Sequence, residues 1–228
     1  MPTPTLWLIV VLVICLLMTG ILFSLRRGGL AGVSMCAWAS AISCVGVAFN
    51  TSIPLNPVLP WLPFGLLGST LFGLGIVLTW AGLRQFFGLS VPWVALSVLT
   101  VVYITVLTLR WYVWPDWAYR TATVSALRGL MSMAIAVLVW RYRPRNRAAF
   151  SYFFTIVMAV GLGLMHVWRS GVYFLGLDSI NALAQASTIQ NIYFSVGLVT
   201  LPGMTLGILM MIHDRLLGQG AKLAARGR

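Results

Sequence analysis

Seven stretches of about 20 apolar residues, each long enough to cross a hydrocarbon core of roughly 30 Å, fill most of this chain. They lie at residues 6–25, 30–49, 64–83, 91–109, 121–140, 148–168 and 192–212. A lipid-facing backbone must satisfy its own hydrogen bonds, which leaves helices or closed barrels. None of the stretches alternates as a barrel strand does. The sequence therefore predicts an all-α integral membrane bundle of seven transmembrane helices, in line with 60% hydrophobic and 8% charged residues.

The cations between the stretches set a direction, because they collect on the cytoplasmic side. Arg26 and Arg27, then Arg84, then Arg141, Arg143, Arg145 and Arg147, then Arg215, Lys222, Arg226 and Arg228 occupy alternate gaps. The other gaps hold Arg110, Arg120 and Arg169. The N-terminus is expected outside and the C-terminus in the cytoplasm, with one transmembrane domain over residues 1–213 and a short basic tail over 214–228. Residues 6–25 lack a basic n-region and exceed an h-region in length, so they read as a retained span rather than a cleaved signal. The formal charge of +12 points to anionic lipid headgroups as the partner. Nucleic acid is not expected, because no soluble basic face is present to hold it.

Small residues recur at steps of four in the second stretch (Gly32, Cys36, Ser40, Cys44 and Ala48) and in the third (Gly65, Ser69 and Gly73). Such ridges let backbones approach closely, so these two helices are expected to pair as a hairpin through them. The prolines of residues 50–63 should keep that connection from being helical. Residues 110–120 hold the densest aromatic cluster, readable as an interfacial belt or as a ligand platform. In the long connection at 169–191, Asp178 is placed to cap a short amphipathic helix with Ile180, Leu183 and Ala184.

Arg128 fits neither set of gaps. The twelve residues from Gly129 to Trp140 span only about 18 Å as helix, so Arg128 lies inside the hydrocarbon zone. The three acids, Asp116, Asp178 and Asp214, fall in loops or at a span end and offer it no buried partner. Its side chain either snorkels outward or faces the bundle interior and binds an anionic or carbonyl-bearing ligand. If the fifth and sixth helices are neighbours, Arg128, His166, Arg169, Asp116, Trp114, Trp117 and Arg120 can converge on one outward-facing pocket. Pro202 and Gly203 sit near the middle of the last stretch, where proline removes an internal hydrogen bond and bends a helix. With Arg215 they are the candidates for passing movement inward.

Other chemistry is poorly served, and neither a metal nor a cofactor is expected. Cys15, Cys36 and Cys44 lie within spans, without chelate spacing or a disulfide pattern. His166 and His213 fall at opposite membrane faces and cannot sandwich a haem. The single lysine, Lys222, is outside every span, which excludes a retinal Schiff base. No glutamate is present, nor a nucleotide-binding loop or catalytic triad. Asn50-Thr-Ser matches a glycosylation triplet, a weak pattern.

Two segments carry a family resemblance. Trp80-Ala-Gly-Leu-Arg-Gln-Phe-Phe-Gly88 and Asp214-Arg-Leu-Leu-Gly-Gln-Gly-Ala-Lys-Leu-Ala-Ala-Arg226 resemble the end of a span and the exit helix in the membrane-bound N-terminal input regions of bacterial GGDEF diguanylate cyclases. The resemblance implies a sensory module in a bacterial inner membrane, with a homodimer, a small outside ligand and a cytoplasmic GGDEF output domain as partners. Where that family enters its cyclase domain with aspartate, this sequence has Gly227 and Arg228, so no enzymatic activity is expected of the chain. Gly218 and Gly220 depart from the exit helix and each costs about 1 kcal/mol relative to alanine. The competing readings are a small transporter or channel component and a structural membrane protein without ligand. Against transport, no acid lies within a span and no repeat between the halves is visible.

Overall fold

The computed structural model describes residues 4–55, 61–144, 150–178 and 187–226. Seven α-helices follow in order: α1 Pro4–Leu25, α2 Val33–Leu55, α3 Trp61–Phe86, α4 Trp93–Tyr112, α5 Trp117–Tyr142, α6 Phe150–Phe174 and α7 Thr188–Arg226. All seven are long and apolar enough to cross a membrane, and no strand occurs among the described residues. The chain is a multi-pass membrane protein. Arg26, Arg84, Arg141 and Arg215 fall at one end of the bundle, called here the arginine end. Trp111, Trp114 and Trp117 fall at the other, the tryptophan end.

Six helices close a ring in the order α1, α2, α3, α5, α6, α7, with α7 returning to α1. The fourth lies outside, against α3 and α5. Packing is densest within the triplets α1–α2–α3 and α5–α6–α7 and thinner at the two seams, α3 with α5 and α7 with α1. With one helix between them, the triplets run in the same direction. Of the described side chains of α1, only Thr19 and Leu22 are buried. Thr19 Oγ1 pairs with Ser40 Oγ at 2.6 Å and lies 3.2 Å from Cys44 Sγ, which ties α1 to α2.

The second and third helices do pair as a hairpin, with the expected Gly32 and Cys36 against Gly82, but the rest of the contact runs along a different ridge. A Cβ on Gly46 would lie 2.6 Å from Phe72 N and 2.8 Å from Gly68 O. One on Gly75 would meet Ser43, and one on Gly82 would lie 2.6 Å from Cys36 Sγ. Gly68, Gly75 and Gly82 thus repeat every seven residues along the contact, a step that keeps one face against its neighbour. The steps-of-four residues Gly65 and Gly73 instead receive Trp111 and Tyr103 of α4, and the Tyr103 hydroxyl donates to Ser69 O at 2.7 Å. A helix crossing two neighbours needs a small-residue face for each, and α3 has both.

The prolines of residues 50–63 do not hold that whole segment out of helix. The second helix runs through Pro54 to Leu55, and α3 carries Pro63 in its first turn, where the missing N–H would be unpaired in any case. Residues 56–60 lie outside the described structure. The fifth helix starts at Trp117 because Asp116 caps it, its carboxylate accepting the Tyr119 N–H at 3.1 Å. The sixth helix continues to Phe174, where Gly176 at φ +65° closes it. There the Leu177 N–H reaches Val172 O and the Gly176 N–H reaches Tyr173 O, the pairing that spares the last carbonyls. The short helix expected at 180–184 lies outside the described residues.

Candidate functional site

Arg128 is buried, with 2% of its surface exposed, and it points into the ring. Its Nη1 donates to Phe72 O of α3 at 2.8 Å, its Nε donates to His166 Nε2 of α6 at 3.3 Å, and its guanidinium carbon lies 3.6 Å from the centroid of the Phe72 ring. Placing an arginine at a helix centre costs about 2.5–3.5 kcal/mol on insertion scales. A hydrogen bond to a charged group returns about 1.5–3 kcal/mol and a desolvated cation–π contact about 2 kcal/mol. These contacts roughly offset the cost, so Arg128 has no need to snorkel.

His166, 1% exposed, accepts at Nε2 and is therefore neutral, with its proton on Nδ1. That Nδ1–H is buried without a protein acceptor. The imidazole meets Tyr193 of α7 edge-on at 5.3 Å, and Arg169 lies 3.7 Å from the centroid of the same tyrosine ring. Arg169 Nη2 donates to Gln190 Oε1 at 2.5 Å, while its Nε is buried without a partner.

These side chains line a cavity of about 110 Å³ in the tryptophan-end half of the ring. Arg120, Arg128, His166 and Arg169 all reach it, so α5 and α6 bring four of the seven candidate residues together. The remaining candidates do not line it. Asp116 is the α5 cap. Trp114 is 58% exposed, at 6.0 Å from Arg110. Trp117 instead meets Trp111 edge-on at 5.7 Å and lies under the guanidinium of Arg120, whose Nε donates to Arg110 O at 2.9 Å. The aromatic cluster is thus spent on covering Arg120 and facing outward, because only four residues separate α4 from α5.

A second cavity of about 40 Å³ lies in the arginine-end half, lined by Cys15, Ser40, Ser43 and Thr79 among others. Phe72, Arg128 and Leu201 line both cavities and form the partition between them. Pro202, next to the partition, faces the second cavity, and α7 continues as helix through it. Gly203 is a packing position, where a Cβ would lie 2.6 Å from Met158 Sδ of α6. Arg215 clasps the end of α3: Nη1 donates to Phe86 O, and the guanidinium carbon lies 4.0 Å from the Phe86 centroid. Beside it, Ser151 Oγ donates to Asp214 Oδ2 at 2.5 Å. Both partners in this clasp, Phe86 and Arg215, belong to the segments that carried the resemblance.

Several cavity residues are not singled out by sequence reasoning. Tyr193, Phe194, Gly197 and Leu201 recur at helical steps on one face of α7, a period that reads as ordinary packing until the cavity is seen. Phe72 sits within an unbroken apolar run. Asn50 also lines the cavity and packs at Gly68, so its glycosylation triplet is turned inward. Cys15, Cys36 and Cys44 are free thiols. No group of three potential metal ligands occurs among the described residues. The chain matches no known protein family, no characterised protein and no solved structure.

Proposed function

We propose that the chain is a sensory input module of a bacterial inner membrane, with its tryptophan end outside and its arginine end against anionic headgroups in the cytoplasm. The observation that carries this reading is the double placement of α7. One stretch of that helix, Tyr193 to Leu201, walls the larger cavity beside Arg128 and His166, and the same unbroken helix leaves the bundle through the Arg215 clasp and runs to Arg226. Whatever occupies the cavity shifts the wall, and the helix conveys the shift past Phe86. Residues 80–88, which resemble the input regions of GGDEF cyclases, supply that exit: Gly82 packs α3 on α2, Gly88 at φ +75° caps it, and Phe86 holds Arg215. The output partner on this reading is a cytoplasmic GGDEF domain, engaged through a homodimer of the bundle.

The test is to append a diguanylate cyclase domain to the full chain and measure cyclic di-GMP in cells. Arg215→Ala and Tyr193→Ala should each change the output several-fold at equal expression. An output indifferent to both substitutions defeats the proposal. A second reading, transport, is favoured by two cavities stacked across the Arg128 partition and by two parallel helix triplets meeting at thin seams, as in transporters built from parallel repeats. Uptake of a solute into proteoliposomes, abolished by Arg128→Gln, would decide for it.

A further inference from the structure

Resting on the reading of the larger cavity as a receptor site, we infer that its ligand is a small monocarboxylate with a compact apolar body. Charge comes first. Arg120, Arg128 and Arg169 line the cavity and none of the chain's three carboxylates does: Asp116 caps α5, Asp214 takes Ser151, and Asp178 lies in the turn beyond α6. Two buried donors there, His166 Nδ1–H and Arg169 Nε–H, have no protein acceptor. An ionised carboxylate is acceptor-only and suits such donors, whereas an alcohol or amide brings hydrogens of its own. The planar guanidinium also matches a carboxylate better than a point charge would.

The rest of the wall limits the body of the ligand. Val47, Val124, Leu162, Phe194 and Leu201 surround the cations, so a multiply charged or fully hydrated anion such as phosphate would lose its water against hydrocarbon. Size excludes the membrane's own fatty acids. The cavity is about 110 Å³, below the roughly 150 Å³ of a protein cavity that takes benzene. A short acid the size of propionate or isobutyrate fits with its carboxylate between Arg128 and Arg169, and neither a ring bearing a carboxylate nor a long acyl chain does.

Binding is measured on the full chain in lipid nanodiscs with carboxyl-¹³C propionate and isobutyrate as probes. Isobutyramide and isobutanol serve as neutral competitors, inorganic phosphate as the bare anion and oleate as the lipid-derived acid. At least one of the two probes should bind saturably, with affinity reduced by about tenfold or more, or 1.4 kcal/mol, in Arg169→Gln. The neutral isosteres should compete at least about tenfold more weakly on the unaltered chain, a comparison that no folding defect can confound. Equal competition by isobutyramide, preferential binding of oleate or phosphate, or absence of binding by both probes overturns the inference. Carboxylate binding that leaves the fused cyclase unchanged sinks the sensory reading alone. A cyclase that still depends on Tyr193 and Arg215 while no carboxylate binds sinks this inference alone.

Discussion

Gly46→Ala is the sharpest probe of how the cavity wall is held. The added Cβ would lie 2.6 Å from Phe72 N, 2.8 Å from Gly68 O and 3.1 Å from Phe72 Cα. All three are backbone atoms, so no rotamer change relieves the contact, and α2 must move from α3 by nearly 1 Å to restore van der Waals distance. A gap of that size forfeits about a quarter to a half of each dispersion contact along the pair, and overpacking of this kind costs about 3 kcal/mol at the upper end. Alanine returns about 1 kcal/mol of helix propensity, leaving a net loss of about 2 kcal/mol. For a chain of this size that lowers Tm by about 4–8 °C. Thermal unfolding in mild detergent measures it, with Gly20→Ala as control, since a Cβ there meets nothing within 4 Å and should be neutral or raise Tm by a few degrees. Because the displaced residue is Phe72, whose carbonyl accepts from Arg128, probe binding should weaken as well. Gly46→Ala as stable as the parent chain would refute the account of the α2–α3 contact.

Asp116→Ala removes the α5 cap at a cost of about 1 kcal/mol and should lower Tm by about 2–4 °C. It should leave carboxylate binding unchanged, and a large loss of binding would return Asp116 to the site. Arg215→Ala removes a charged hydrogen bond worth about 1.5–3 kcal/mol between α7 and the α3 carbonyl of Phe86. Amide exchange of residues 214–219 should accelerate by about tenfold or more, and unchanged protection would show that the clasp does not hold the helix.

Span number and the order of the helices were legible because membrane burial writes itself as uninterrupted apolar length. The hairpin of α2 and α3 was legible too, with Gly32 and Cys36 on its ridge, but Gly46, Gly68, Gly75 and Gly82 stand among other small residues, and only the packing shows which face each serves. Arg128 declared itself by cost, being a cation too deep to be topological. Its partners did not, since Phe72 offers a backbone carbonyl and a ring, groups that leave no mark in a hydrophobic run. His166 and Arg169 were legible as an imidazole and a guanidinium one turn apart near that end of α6. Asp116 misled because a single carboxylate beside tryptophans looks like a ligand contact and also like a helix cap, and the backbone at Tyr119 claimed it.

On the proposed function, occupancy of the cavity is felt where α7 leaves the bundle. Leu217, 61% exposed and two residues past Arg215, can be changed to cysteine and carry a trifluoromethyl tag, the three native thiols being wholly or partly buried. In nanodiscs the ¹⁹F spectrum is recorded with and without a saturating carboxylate probe. The account predicts that the probe shifts the resonance or redistributes it between two positions, and that Arg169→Gln abolishes the change. A resonance that stays fixed while the probe is bound at saturation would contradict it.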